Sequence, residues 1–322
     1  MTSIASAAKT ITARNVDTGE EFTESYDELA LCMGAEPVKP PLPGIDHPAL
    51  DSLRRIGDMD RIKARVDKAL ADQKAATRGV VTAVVVGAGS IGLALAEPLH
   101  HRGVQVDVVE MAPQILPPVD HEIATPVEQD LRARGIKVHL STKAAAFQPL
   151  ADERVAVELD NGEVLDADIV ILAAGVKPST ALAVEAGCEL GEHRGIKVDT
   201  HMRTTVPHVW AAGDGVETPH PVLPGSYLSP LAGPANRQAR VLAENVMGRS
   251  TEYVSTQGTS IVKVFDMVAG GTGATERQLK AAGMDYEVVH VHPSGHAGYY
   301  PGTAMMHLKV IFSKEDGRIY GA

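Results

Sequence analysis

The chain has 322 residues, 44% of them hydrophobic and 22% charged, with a formal charge of −11 at pH 7. This is the composition of an ordinary globular protein long enough for two or three cores. An acidic balance without basic runs interleaved with aromatics excludes a nucleic-acid surface. No stretch approaches a membrane span, and the first nine residues lack the basic and apolar regions of a signal peptide, so the cytoplasm is the expected compartment.

Lys9 to Asn15 alternates as a strand, Asp17-Thr18-Gly19-Glu20 is a turn, and a second strand leads to Ser25. A short strand follows within Tyr26 to Met33 and stops at Gly34, placing Cys32 inside it as a buried structural side chain. The proline-rich stretch from Pro37 to Pro48 reads as a linker or hinge. From Asp58 to Ala76 the spacing is helical, with Ile62, Val66, Ala69 and Leu70 on one face.

The densest signal is Val84-Val85-Val86-Gly87-Ala88-Gly89-Ser90-Ile91-Gly92, an apolar β-branched run that opens into G-x-G-x-x-G and then into a helix-forming segment. Gly87 suits a tight turn, Gly89 has no Cβ to block a pyrophosphate, and Gly92 lets the helix press on the strand. The helix N-terminus offers free N–H groups and positive dipole to phosphates. Gly103 ends the helix, Val104 to Val109 forms the next strand, and Glu110 stands at its end to accept ribose hydroxyls. The acid, followed by Met111, Ala112, Pro113 and Gln114, favours NADH over NADPH, with Arg102 the one nearby cation. Pro98 inside the helix predicts a kink.

A helical segment from Asp120 to Arg134, strands around Val138, Val155 and Val164, and a buried strand from Asp168 to Gly175 complete this unit. Strands ending in glycine at Gly34 and Gly175 hint at a duplicated architecture. Cys188 follows Gly187 in a loop, and the two cysteines lack both disulfide-framework numbers and metal-ligand spacing. Thr204 to Asp214 reads as a short buried strand, Val209 to Ala212, that delivers a glycine and a carboxylate to a sheet edge; Asp214-Gly215 is equally a turn signal. His290 and His292 share a strand face and His296 follows, but no cysteine or carboxylate completes a metal site, and none is expected.

Thr205 to Asp214 resembles the second flavin motif of the pyridine nucleotide-disulfide oxidoreductases, and Val84 to Glu110 resembles that family's NAD(P)H unit. Leu29 to Pro37 is similar to the strand ending A-T-G-A-x-P, with Met33 in place of the threonine, and Ile169 to Pro178 to its second copy. Ala232 to Gln238 and Gly295 to Gly302 resemble the branch of coenzyme A-disulfide reductases, NADH oxidases and NADH peroxidases. Ala94 departs from that pattern, standing where the family usually has a glutamate near the nicotinamide.

The resemblance implies an α/β fold: two Rossmann-like three-layer nucleotide-binding domains, one inserted in the other, plus a truncated α+β interface domain. The implied divisions are 1–57 and 178–250 for the flavin domain, 58–177 for the NAD(P)H domain and 251–322 for the interface domain. It assigns Gly87, Gly89, Ser90, Ile91, Gly92 and Glu110 to NADH, with Gly175 close to the same ligand. Gly34, Gly213 and Asp214 go to FAD, and Asn236, Tyr299 and Tyr300 to the substrate side, where the tyrosine pair is equally an interface anchor.

The implied activity is a FAD- and NADH-dependent reduction of a small disulfide such as coenzyme A disulfide, in a homodimer. An NADH oxidase or peroxidase is the alternative within the family. The family's first G-x-G-x-x-G and its redox cysteine have no counterpart here, and Arg318 to Ala322 reads as an interface-domain strand cut short. This polypeptide is therefore expected to be a non-catalytic NADH binder that has lost flavin, while its parent gene encodes the reductase.

Overall fold

The computed structural model describes residues 1–74 and 79–322. Five parallel strands form the central sheet, in the order Leu50–Asp51, Ile169–Leu172, Thr82–Val86, Gln105–Val109 and Lys137–His139. Their valine-rich runs are buried on both faces, and the two-residue period of a strand sorts them. Ala83, Val85, Val106, Val108, Ile169 and Ile171 face one core, with helices Ile56–Lys74, Ser90–His101 and His121–Ala133 over them. Val84, Val86, Val109, Val170 and Leu172 face the other, covered by the antiparallel strands Ala144–Pro149, Val155–Leu159 and Val164–Ala167. The result is a three-layer unit.

Helix Ile56–Lys74 buries Ile62, Val66 and Ala69, with Leu70 packed at the margin, as its spacing predicts; the expected last residues, Ala75 and Ala76, lie outside the described residues. Helix Ser90–His101 runs through Pro98 without a break, because the proline sits on the exposed face four residues from the helix C-cap.

A second core gathers Leu31, Ala183, Cys188, Met202, Val209, Trp210 and Leu242. Strand Leu29–Leu31 pairs in parallel with Val209–Ala211, so residues distant in sequence and lying on either side of the central-sheet unit meet in one layer. That pairing is the physical signature of one domain inserted in another. The two crossings between the units are themselves paired: Ala35–Pro37, after Gly34, runs antiparallel to Val176–Pro178, after Gly175.

The last segment is α+β. Hairpin Ser260–Val264/Met267–Gly271 precedes helix Glu276–Ala281, whose start is fixed by a capping box between Thr275 and Gln278. Strands Glu287–Val291, Leu308–Phe312 and Ile319–Gly321 form a separate antiparallel sheet in that order. Val264, Phe265 and Ala269 of the hairpin belong to the first core, so this segment is plugged into the three-layer unit. Among the described residues no helix is long and apolar enough to cross a membrane.

Candidate functional site

The glycine loop is shaped by contacts that no other residue tolerates. Gly87 has φ +111°, and a Cβ there would lie 2.3 Å from the Ala173 carbonyl oxygen. A Cβ on Gly92 would lie 2.0 Å from the Gly87 oxygen. Gly89 differs: its φ is −75°, and a Cβ would meet nothing within 4 Å. The open space lies in front of helix Ser90–His101, whose N-terminus has no side-chain cap, leaving its first-turn amides for an anionic ligand. Ser90 and Ile91 are exposed beside it.

Glu110 is only 7% exposed. Its Oε2 accepts from the Ala88 amide and its Oε1 from the Ala112 amide, both at 2.8 Å. The carboxylate therefore braces the loop, and its remaining lone pairs suit ribose hydroxyls. Arg102 sits at the far end of the helix and is ion-paired with Asp67, so no guanidinium is turned toward Glu110 from there. Gly175, with φ +99° and open space at its Cβ position, stands beyond the neighbouring strand and accepts from the Val38 amide at 2.9 Å.

A second cleft of about 400 Å³ is lined by Cys32, Gly34, Gly213, Asp214 and Asn236, with alanines between them. Gly213 (φ +93°) donates its amide to the Gln238 side chain at 2.8 Å. Gly34 (φ +69°) directs its carbonyl to the Ser179 amide at 2.9 Å, tying the cleft to the paired crossings. Asp214 is half-buried and engages no donor among the described residues, an acceptor turned to a cleft of small side chains. Such a wall fits a polyhydroxylated chain. Asn236 donates to the Ala232 carbonyl at 2.8 Å, one turn back on helix Ala232–Val246.

Cys32 corrects the sequence reading. The strand ends at Leu31, and the next side chain turns outward, so Cys32 is exposed on the cleft rather than buried. Burial of its sulfur side nonetheless pushes the thiol above its usual range. Cys188 is the buried one, among Trp210 and Met202, with its thiol also pushed up by burial; neither environment makes an activated thiolate.

A third cleft, about 630 Å³, went unseen in the sequence because distant segments build it: Ser90 and Leu116 from the three-layer unit, Leu231 and Ala232 from the second core, Thr259 and Gln278 from the last segment. The N-termini of helices Ser90–His101 and Ala232–Val246, neither with a side-chain cap, both open on it. Ala232 also lines the 400 Å³ cleft, so the two spaces share a wall. His220 in this lining is held toward neutrality, chiefly by burial, and its Nδ1 accepts from the Val222 and Leu223 amides. Tyr299 and Tyr300, 83% and 61% exposed, lie side by side in a loop with their rings tilted 43° to each other, and line neither cleft. Within one chain they are not brought to Asn236.

Residues 1–232 match the family model for pyridine nucleotide-disulphide oxidoreductase and residues 259–322 that for its dimerisation domain. An NADH oxidase of Methanocaldococcus jannaschii is 35% identical over 94% of this chain and 65% of its own length. A coenzyme A disulfide reductase of Staphylococcus aureus is 30% identical over 98% of this chain and 68% of its own. The chain thus spans about two thirds of the relatives it matches. The crystal structure of reduced Bacillus anthracis CoADR-RHD superposes with a TM-score of 0.92 at 41% identity, over 99% of this chain and 56% of that one. A water-forming NADH oxidase from Lactobacillus brevis bound to NADH gives 0.91 at 26% identity, over 99% and 68%. With its inserted α/β unit, glycine loop and acid-braced strand end, the chain belongs to the pyridine nucleotide-disulphide oxidoreductase family of FAD- and NAD(P)H-dependent enzymes.

Proposed function

We propose that this chain binds NADH at the Gly87–Gly92 loop and supplies the Asp214 side of a flavin site, as part of an oxidoreductase that reduces a small disulfide such as coenzyme A disulfide. The observation that carries the reading is the open space at Gly89 in front of an uncapped helix, with Glu110 fixed beside it. The pyrophosphate would lie against the Ser90, Ile91 and Gly92 amides, and Glu110 would take the adenosine ribose. A second phosphate on that ribose would meet the Glu110 carboxylate, so NADH is preferred.

FAD fits the second cleft in part. Asp214 and the small residues around it suit the ribityl chain, and the uncapped N-terminus of helix Ala232–Val246 favours partial negative charge at the ring end. The lining itself holds no lysine or arginine, but the Arg54 guanidinium lies against Gly34, 3.2 Å from where a Cβ would stand. When bound, NADH supplies a hydride and the flavin accepts it. The chain's own part is to hold the two ring ends toward the 630 Å³ cleft, where both helix termini converge. Tyr299 and Tyr300 act at the substrate side of a second copy in a homodimer.

The acceptor is argued from relatives named for coenzyme A disulfide reduction and for NADH oxidation. Titrating the purified protein with NADH and NADPH by calorimetry, with a visible spectrum of the same sample, tests the reading. Tighter NADH binding is expected, lost in Gly89→Val. Equal affinity for both nucleotides, or none, sinks the nucleotide assignment. Flavin absorption bleached by NADH supports an active reductase, and a colourless NADH-binding protein supports a non-catalytic binder.

A further inference from the structure

Strands Glu287–Val291 and Leu308–Phe312 pair with Val291 opposite Leu308. The same register continues beyond the ladder, through a bridge between Ser294 and Met305 and a bond from the Met306 amide to the Pro293 carbonyl at 2.8 Å. His292 and His307 stand opposite each other between these fixed points. Their Nδ1 atoms are 2.9 Å apart, and both side chains are exposed. Of the three histidines that the sequence brings together, His296 turns into its own loop, facing the Ala297 carbonyl, and His290 stands 3.7 Å from Glu122. The partner of His292 comes from the returning strand, fifteen residues on.

We propose that His292 and His307 form a two-imidazole site for a divalent transition-metal ion of the Cu²⁺ or Ni²⁺ type, which clasps the neck of the loop carrying Tyr299 and Tyr300. Imidazole nitrogens suit these ions, and both rings present the same atom from a rigid ladder. With metal–nitrogen bonds of about 2.0–2.1 Å, the 2.9 Å separation subtends an angle of about 90° at the ion. That is the cis angle of a square-planar or octahedral centre, whereas a tetrahedral zinc ion needs nitrogens about 3.4 Å apart. Water completes the coordination. Two coordination bonds across the neck replace one hydrogen bond, restraining residues 293–306.

Copper titration of the full chain, followed by electron paramagnetic resonance, tests this. One Cu²⁺ per chain with superhyperfine coupling from two nitrogens is expected, weakened about a hundredfold in His292→Ala and in His307→Ala and unchanged in His296→Ala. Ni²⁺ is expected to slow chymotrypsin cleavage after Tyr299 in the natural sequence but not in His307→Ala. All three side chains are exposed, and a circular dichroism spectrum matching the parent verifies the fold of each variant. Copper binding that survives both substitutions, absence of a one-to-one site, or cleavage indifferent to Ni²⁺ overturns the proposal.

Discussion

Glu110 accepts a hydrogen bond from the Ala88 amide across twenty-two residues of sequence, and with its other oxygen one from the Ala112 amide. One buried carboxylate thereby fixes the glycine loop to the end of the neighbouring strand. Glu110→Gln offers a single acceptor oxygen, so one of these amides loses its partner at a cost of about 1–3 kcal/mol. We expect a lower melting temperature and weaker NADH binding, both shifted further in Glu110→Ala. Differential scanning fluorimetry beside calorimetric titration separates the two effects; a Gln variant indistinguishable from the parent in both would refute the brace.

Gly89 and Gly92, three residues apart, respond differently to a methyl group. Gly92→Ala drives its Cβ into the Gly87 carbonyl at 2.0 Å, an overpacking of about 1–3 kcal/mol that a thermal melt reads without ligand. Gly89→Ala adds a methyl to open space at an ordinary φ, so the apo protein melts like the parent. Its deficit appears only on adding NADH, as a loss of ligand-induced stabilisation. Destabilisation of the free Gly89 variant would show that the space is not open.

These glycines were legible because each constraint is local: strand, turn, helix and acid follow one another within thirty residues. The paired cluster boundaries at Gly34 and Gly175 were visible as repeats, although only the structure shows that the strands after them hydrogen-bond to each other. Cys32 was misread because a strand's last residue and the first one beyond it look alike in sequence, yet the beyond-strand side chain is free to turn to the cleft. The 630 Å³ cleft and the partner of His292 were invisible for another reason. Their walls come from segments more than a hundred residues apart, or from a return strand whose register no spacing rule sets. The helix through Pro98 shows that an exposed proline near a helix end is accommodated despite the lost amide.

The Lys309 side chain is 4% exposed and binds Asp120, Glu122 and Glu276, joining the last segment to the N-terminus of helix His121–Ala133. Burial pulls the lysine's affinity for its proton down, but the hydrogen bonds to Glu276, Asp120 and Glu122 outweigh it and raise the ammonium above its usual range. The Lys309 ammonium, then the Tyr286 hydroxyl, hold the Glu276 carboxyl down to about 2 from 4.5. A depressed folded value means stability present above 4.5 and lost as the pH falls toward about 2, on the order of 2–3 kcal/mol. Lys309→Met leaves three carboxylates facing one another, a loss of about 3–5 kcal/mol near neutral pH. The gap in melting temperature between parent and variant is expected to narrow through that acid window as the carboxylates take up protons. A gap of constant size across it would mean that the cluster contributes nothing through charge.

Phe265 locks the hairpin of the last segment into the three-layer unit. It is 2% exposed, with the rings of His100 and His101 edge-on at 5.5 and 5.3 Å and the Arg134 guanidinium 4.4 Å above its face. Its amide donates to Glu97 Oε2 at 2.9 Å, and Arg134 also pairs with Asp266 beside it. Phe265→Ala empties this socket at a cost of about 3–5 kcal/mol, which falls on the docking of the hairpin rather than on the glycine loop at the opposite end of helix Ser90–His101. Hydrogen exchange is therefore expected to accelerate across 260–271 and at the end of helix Ser90–His101, while the amides of strand Thr82–Val86 stay protected and NADH affinity is kept. Uniform acceleration through that strand would instead place Phe265 among the residues on which the whole nucleotide-binding unit depends.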